Sequence, residues 1–341
     1  MQNKKVRIAI DAMGGDRAPR VIVEGALMAA EEFDYKLDLV GDTRKIEKFL
    51  NVYDYPKDKI SVVHASEVVK MGEPAAASFR RKKDSSIAVG MRLLRDKKTD
   101  IFISAGNTGA VVTAAALTLK TLPHIERPGI AIVFPSLKEP ILIIDMGANI
   151  DAKPVHLFQY AVMGWAYIRY ILHRENPSIG LLNIGEEESK GTSFIKEARD
   201  ILKKSSLNFV GNIEARDVFR GKVDVVVCDG FIGNIVLKIT ESFAHVTTEL
   251  LKRELNRRLL PKIGAILSLP AYRAIRKKID YTEYGGAPLL GVDGAVLISH
   301  GSSNAVAIKS AVRVAGEYVK HRVNEHIVER LEECMKKIGK I

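Results

Sequence analysis

Short apolar runs alternate along the chain with longer stretches whose apolar positions recur at helical spacing, and polar, often Gly-bearing loops separate the two. The runs predict strands at Val6–Ile10, Leu37–Val40, Ile60–His64, Ile101–Ser104, Ile130–Phe134, Ile141–Asp145, Ile179–Ile184, Asn208–Val210 and Val223–Cys228. The longer stretches predict helices at Pro19–Glu32, Thr43–Leu50, Ser85–Asp96, Thr108–Thr121, Val155–His173, Thr192–Lys204, Asn234–Leu255 and Ser302–Glu333. The last of these is highly charged and is expected to lie over the surface. Near-continuous apolar strands, each followed by a helix, call for a mostly parallel sheet covered on both faces. The expected fold is therefore α/β, Rossmann-like and three-layered (αβα). No Pro-, Ser- or Gly-rich linker splits residues 1–341, so one compact domain is expected, with room for two subdomains.

Open parallel sheets bind ligands outside the carboxyl ends of their strands, where glycine turns and helix N-termini bring backbone N–H groups to an anion. The loops at those positions are the candidate site. "DAMGGD" supplies Asp11, Gly14, Gly15 and Asp16, and "SAGNTGA" supplies Ser104, Gly106, Asn107, Thr108 and Gly109. "DMGANID" adds Asn149, and "CDGFIGN" adds Asp229, Gly230 and Asn234. "SAGNTGA" read alone is equally a capped tight turn, with Asn107 or Thr108 as the helix N-cap. A set of such loops on one sheet favours an anion site. The chain contains neither a GxxxxGK[ST] phosphate loop nor a GxGxxG fingerprint, so nucleoside triphosphate and dinucleotide chemistry lose support and no cofactor is expected. The acids at these strand ends orient cations or cap loops more readily than they hold metal, and no metal site is expected.

Composition is that of an ordinary folded domain: 47% hydrophobic and 27% charged residues in 341. No apolar run reaches membrane-span length, and the five-residue run near the N-terminus is too short for a signal core, so a cytoplasmic location is expected. Charge changes the picture more. From Lys252 to Lys278 there are nine Lys or Arg and one acid, Glu254, so this segment holds +8 of the total +11. Within residues 251–279, Arg257, Arg258 and Lys262 interleave with Leu259, Leu260, Ile263, Ile266 and Leu267. The segment reads either as a helical hairpin packed on the domain or a dimer partner, or as an interfacial element meeting anionic lipid or an acidic carrier. Nucleic acid is disfavoured, since Tyr272 is its only aromatic residue. "RRKKDSS" sets Arg80, Arg81, Lys82 and Lys83 before a helix, either as a solvated face or as a site for phosphate or an acidic carrier. Cys228 closes an apolar strand and reads as structural rather than nucleophilic, while His300 beside Ser302, Ser303 and Asn304 lacks a GxSxG context.

Taken in order, "DAMGGD", "RRKKDSS", "SAGNTGA", "DMGANIDAKPVHLFQYAVMG", "GLLNIGEEESKG", "FVGNIEARD", "VDVVVCDGFIGN", "YTEYGGAPLLG" and "HGSSN" resemble the bacterial phosphate acyltransferases of phospholipid synthesis, the PlsX family. The resemblance runs from Val6 to about Val323. It implies a fold similar to phosphotransacetylases and to isocitrate and isopropylmalate dehydrogenases. It also implies a homodimer that moves a fatty acyl group from acyl-carrier protein to inorganic phosphate. The product would feed a membrane glycerol-3-phosphate acyltransferase, with the enzyme peripheral to an anionic membrane. On the residues, Gly106, Asn107 and Thr108 are expected to hold phosphate. Lys153, Arg216 or one of Arg80, Arg81 and Lys82 would compensate its charge, and Asn234 and His300 complete the catalytic candidates. Three alternatives stay open: a phosphotransacetylase using acyl-CoA, a decarboxylating dehydrogenase, and a non-enzymatic adaptor.

Overall fold

The computed structural model describes residues 5–272 and 285–339. In chain order the first half comprises β1 (Arg7–Asp11), α1 (Arg20–Glu32), β2 (Lys36–Gly41), α2 (Thr43–Leu50), β3 (Ile60–His64), α3 (Ala75–Arg81), α4 (Ser86–Arg95), β4 (Ile101–Ser104) and α5 (Thr108–Thr118). Next come β5 (Gly129–Phe134), β6 (Ile141–Ile144), α6 (Pro154–Ile171), β7 (Ser178–Leu182), α7 (Ser193–Lys204), β8 (Asn208–Ile213), α8 (Ala215–Val218) and β9 (Val225–Val227). The chain closes with α9 (Gly230–Arg257), α10 (Leu259–Leu267), β10 (Ala287–Leu290), β11 (Ala295–Ile298), α11 (Ala305–Lys320) and α12 (Val323–Ile338).

Among the described residues the strands make one 11-stranded sheet in the order β3-β2-β1-β4-β11-β10-β5-β6-β9-β7-β8. Pairings are parallel from β3 through to β11 and again from β6 through to β8. Between these blocks, β10 is antiparallel to both β11 and β5, and β5 is antiparallel to β6. Three reversals leave the two parallel blocks running in opposite directions.

The apolar pattern explains the layers. Strand side chains alternate between faces, so Ile8 and Ile10 of β1 enter one core and Ala9 enters the other. The first core is closed by α1, α2, α6, α7, α11 and α12, through residues such as Val23, Ile46, Phe158, Leu202, Ile308 and Leu331. The second is closed by α4 and α5, with Val236 and Leu237 of α9 packed against it. The three-layer, mostly parallel α/β architecture is thus the one expected.

Several elements differ from expectation. The single C-terminal helix is two, divided at Arg322, whose φ of 50° is left-handed. Nor does its second half merely cover the surface: Val323, Ile327, Leu331 and Cys334 form a buried stripe. Helix α9 begins at Gly230 rather than Asn234, because Asp229 caps it by accepting the Ile232 N–H at 3.0 Å. Strands β10 and β11 and helix α3 were not expected; elements of four to seven residues carry too few turns or alternations to show a period. In the basic segment, α9 runs to Arg257, and α10 contacts α9 rather than packing on the sheet domain. Leu260 and Leu267 there are 81% and 77% exposed. Residues 273–279 of that segment, and 281–284 of the "YTEYGG" motif, lie outside the described residues.

Candidate active site

At the carboxyl ends of β1, β4 and β11 three loops close on one another. Asp11 is buried and accepts the Ser104 hydroxyl at 2.7 Å and the Met13 N–H at 3.0 Å. Ser104 Oγ in turn accepts the Gly106 N–H at 3.0 Å, so the carboxylate orders the neighbouring loop through one hydroxyl. Burial pushes the Asp11 carboxyl up, opposed by hydrogen bonds from Ser86, Ser104, Met13 and Gly14. Glycine is required at position 14, because a Cβ there would sit 2.5 Å from Asp11 Oδ2 and 2.6 Å from the Gly106 nitrogen. Gly15 (φ 105°) lets the chain turn so that the Asp16 N–H reaches the Gly301 carbonyl at 2.8 Å. The Asp16 side chain itself is exposed.

Asn107 caps α5 by accepting the Ala110 N–H at 2.9 Å, and its Nδ2 donates to the carbonyls of Met71 (2.7 Å) and Glu73 (3.1 Å). Its side chain is therefore committed to the scaffold. The N–H groups of Thr108 and Gly109, at the start of α5, have no acceptor among the described residues. Lys82 donates to the Val68 carbonyl and to Glu73 Oε1, each at 2.6 Å. Lys82 and Ser78 hold the Glu73 carboxyl down to about 2. Arg81 lies exposed in the last turn of α3 with Arg80, and the run precedes α4, whose N-cap is Ser85, as expected; the short helix α3 that holds these two arginines is the addition. His300 Nδ1 meets Ser302 Oγ at 2.7 Å, and its Nε2 is 3.9 Å from Glu241 Oε1.

Two members of this cluster escaped sequence reasoning. Arg17 donates to the Ser302 and Ser303 carbonyls at 3.0 Å each, bringing a guanidinium to the loop junction. Ser299, 5% exposed, has a hydroxyl without a partner among the described residues. Their only signal was position: Arg17 beside "GGD" and Ser299 at the end of an apolar run.

A second cluster forms at the carboxyl ends of β6 and β9. Asp145 is buried and accepts the N–H groups of Ile130 (2.9 Å), Gly147 (3.1 Å), Ala148 (2.9 Å) and Asn149 (2.8 Å). Burial pushes its carboxyl up against those hydrogen bonds. Asn149 donates from Nδ2 to Tyr160 Oη at 2.9 Å, and its carbonyl accepts the Gly230 N–H at 2.9 Å. Helix α9 therefore starts directly on this loop, and a Cβ on Gly233 would lie 1.9 Å from the Asp145 carbonyl oxygen. Asn234 faces Gly147 from the same turn. Lys153 caps α6 with its backbone N–H donated to His156 Nδ1 at 3.0 Å; its side chain is exposed, with no ion pair among the described residues. Because His156 Nδ1 accepts, its Nε2 carries the hydrogen and donates to Glu126 at 3.0 Å. Arg216 stands apart, pairing with Glu214 at 3.0 Å on α8. Cys228 is buried with Sγ 3.5 Å from the Asp145 carbonyl, and burial with nearby Asp145 pushes the thiol well up.

The two clusters do not share an edge, contrary to the expectation of one row of strand ends. The three antiparallel pairings between the blocks place the carboxyl ends of β6 and β9 opposite those of β1, β4 and β11. Helix α9 joins them. Asn234 lies at the second cluster, and Glu241, seven residues on and roughly 10 Å by helical rise, approaches His300 of the first. Among the described residues no group of three or more His, Cys, Asp or Glu is placed to hold a metal ion, and no helix is long and apolar enough to cross a membrane.

The doubly blocked α/β sheet, with its Gly-packed loops and open helix-start amides, is similar in fold to solved phosphotransacetylases. A phosphotransacetylase from Streptococcus pyogenes superposes with a TM-score of 0.64 at 18% identity, covering 93% of this chain and 95% of that one. The EutD phosphotransacetylase from Staphylococcus aureus gives 0.59 at 16% identity, covering 93% and 94%. The family model described as "Fatty acid synthesis protein" matches residues 6–326. The phosphate acyltransferase of Geotalea daltonii is 50% identical over 328 residues, 96% of this chain and 95% of the relative. That of Geobacter sulfurreducens is 47% identical over 327 residues, 96% and 94%. The chain belongs to this family of fatty acid synthesis proteins, the phosphate acyltransferases, and is an acyltransferase.

Proposed function

We propose that the protein transfers a long-chain fatty acyl group reversibly from the thioester of acyl-carrier protein to inorganic phosphate, by direct attack. The observation that carries this reading is the pair of unpartnered N–H groups of Thr108 and Gly109, held open where the loops of β1, β4 and β11 pack through glycine. Phosphate is largely dianionic near neutrality, with a second pKa of about 6 to 7 as for phosphoryl groups. It needs aiming and desolvation more than a base. In the step we propose, a phosphate oxygen forms a bond to the thioester carbon and the C–S bond breaks. The electron pair leaves with the carrier thiolate. Gly106, Asn107, Thr108 and Gly109 shape the anion site, with Asp11, Gly14, Gly15, Asp16 and Ser104 as its scaffold. Arg81 and Lys82 supply positive charge there. Lys153 and Asn234, with Asn149, Asp229 and Gly230 beneath them, serve the acyl donor end, and His300 lies between the clusters. Arg216, paired away on α8, is the weakest candidate.

The exposed basic segment supports docking of an acidic carrier or of an anionic membrane by Arg257, Arg258 and Lys262 with Leu260, Ile263, Ile266 and Leu267. We place the enzyme in the cytoplasm as a homodimer, peripheral to the membrane. The deciding experiment is phosphate-dependent formation of acyl phosphate from long-chain acyl-carrier protein. Turnover of acyl-CoA alone would instead favour a phosphotransacetylase.

A further inference from the structure

The loop 122–128, which leads from α5 into β5, is pinned along its length. Leu122 donates its N–H to the Gly291 carbonyl at 3.0 Å, and the Ile125 side chain is buried. His124 takes a left-handed φ of 65°, and Gln159 of α6 donates to its carbonyl at 2.9 Å. The same glutamine accepts the Glu126 N–H at 3.0 Å, while His156 Nε2 meets the Glu126 carboxylate at 3.0 Å. On the far side, the Pro128 carbonyl accepts Asn149 Nδ2, the group that also donates to Tyr160 Oη. Hydrogen bonds therefore fix the chain immediately before and after Arg127. Because β5 runs antiparallel to β6, its entry lies at the carboxyl end of β6, beside the second cluster. The Arg127 side chain is exposed there and makes no hydrogen bond or ion pair among the described residues.

An exposed arginine on a loose loop is an ordinary solvated charge. Here the backbone is held on both sides, so less freedom is lost when the guanidinium engages a ligand. The charge also reaches the cluster: burial and Asp145 push the Tyr160 hydroxyl up, and Asn149 and Arg127 act against them. Glu126, the acid next in sequence, is turned to His156 and does not pair with Arg127. At the other nitrogen of that imidazole stands Lys153, which donates its N–H to His156 Nδ1 at 3.0 Å and has an exposed side chain without an ion pair among the described residues. His156 thus holds two open cations on either side of itself. Such a pair calls for an anion, and a guanidinium fork matches the oxygens of a phosphoryl group. The inorganic phosphate of the proposed reaction already has the open amides of Thr108 and Gly109 at the first cluster, which leaves this pair for a phosphoryl group that arrives with the acyl donor.

We infer that Arg127 is a further substrate-binding residue, whose guanidinium takes the phosphoryl oxygens on the thioester-bearing arm of the acyl donor. The inference rests on the acyl-transfer reading above and adds a contact to it, since the thiol of an acyl carrier ends a phosphopantetheine arm. The test compares the palmitoyl thioesters of 4′-phosphopantetheine and of pantetheine, which differ only in the phosphoryl group, as donors to inorganic phosphate. Wild-type kcat/KM is expected to favour the phosphorylated donor at least about tenfold, the size of one hydrogen bond to a charged group. Arg127→Met is expected to cut that preference to about threefold or less, and Arg127→Lys, which keeps the charge without the fork, to fall between the two. Calorimetric titration of the full chain with free 4′-phosphopantetheine and with pantetheine reads the same contrast without turnover. If no donor yields acyl phosphate, the acyl-transfer reading fails, and the calorimetric contrast still decides the role of Arg127. Equal handling of the two arms by the wild type, or a preference unchanged in Arg127→Met, would overturn the assignment. So would a raised KM for inorganic phosphate in Arg127→Met with the preference intact, which would give Arg127 to the other substrate.

Discussion

Single residues divide sharply between those that shape the site and those that face it. Cys228 belongs to the first group: its thiol is buried, pushed up in pKa and packed on the Asp145 carbonyl. A thiol held protonated is a poor nucleophile. Cys228→Ala is expected to cost roughly 1–2 kcal/mol of stability and to keep most acyl transfer; an acyl group trapped on Cys228 by mass spectrometry would refute direct attack. Lys153 belongs to the second group, exposed and without an ion pair among the described residues. Lys153→Met is expected to lower kcat/KM by about tenfold with far-UV circular dichroism unchanged, and steady-state rates at wild-type level would remove it from the site. Glu73 makes a pH-dependent case. Its folded carboxyl sits at about 2, below its ordinary 4.5, through Lys82 and Ser78. A depressed acid contributes stability that is complete above its unfolded pKa and is lost as pH falls through its folded value. Wild-type urea midpoints should therefore fall between pH 4.5 and about 2. Glu73→Gln should start lower and show a shallower fall, and parallel curves for the two proteins would contradict the assignment.

At the scale of elements, legibility followed length and period. α2 matches expectation residue for residue because Asp42 caps it and an Ile46/Leu50 stripe marks its buried face. The helix start at Asn107 is signalled by a residue that caps helices, whereas that of α9 is expected four residues late, at Asn234, because the Gly-rich turn masks the cap at Asp229. What could not be read was pairing. Strand direction around β10 and β5 depends on a four-residue strand whose register is set by partners far along the chain, so the two halves of the site looked collinear. The same limit hid a β-bulge at Val210 of β8, which is a property of two strands and not of one. Contact geometry now sharpens the role of the "CDGFIGN" glycines. A Cβ at position 233 would meet the Asp145 carbonyl oxygen at 1.9 Å, a backbone atom that cannot swing aside. Gly233→Ala is expected to destabilise by at least about 3 kcal/mol or to displace α9, read as a drop in urea midpoint; a change under about 0.5 kcal/mol would mean that α9 is not seated as described.

For the whole molecule the unexplained feature is how much of α9 stands clear of the domain. Ile232, Ile239 and Val246 recur every seven residues, and Ile235, Phe243 and Leu250 fill the same side; all are exposed, from 40% to 72%. From Ile232 to Leu250 this stripe spans roughly 27 Å by helical rise. An exposed apolar stripe of that length marks an interaction surface rather than a tolerated blemish. Seven-residue recurrence suits a second helix, whose knobs would enter the spaces between these side chains, better than it suits a flat lipid surface. The basic α10 beyond it carries the features of a membrane or carrier contact, with Arg257, Arg258 and Lys262 beside Leu260 and Leu267. The two surfaces therefore make separable predictions. Ile239→Glu with Val246→Glu should convert a dimer into a monomer by sedimentation velocity at micromolar concentration. Glu at positions 257, 258 and 262 should leave the dimer intact while abolishing salt-sensitive binding to vesicles of anionic phospholipid. A monomeric wild-type chain would remove the first assignment, and vesicle binding that survives the charge reversal would remove the second. If both surfaces act as separated here, the α9 stripe joins two copies and the α10 ends project from the pair, leaving the loops of β1, β4 and β11 to meet the acyl donor.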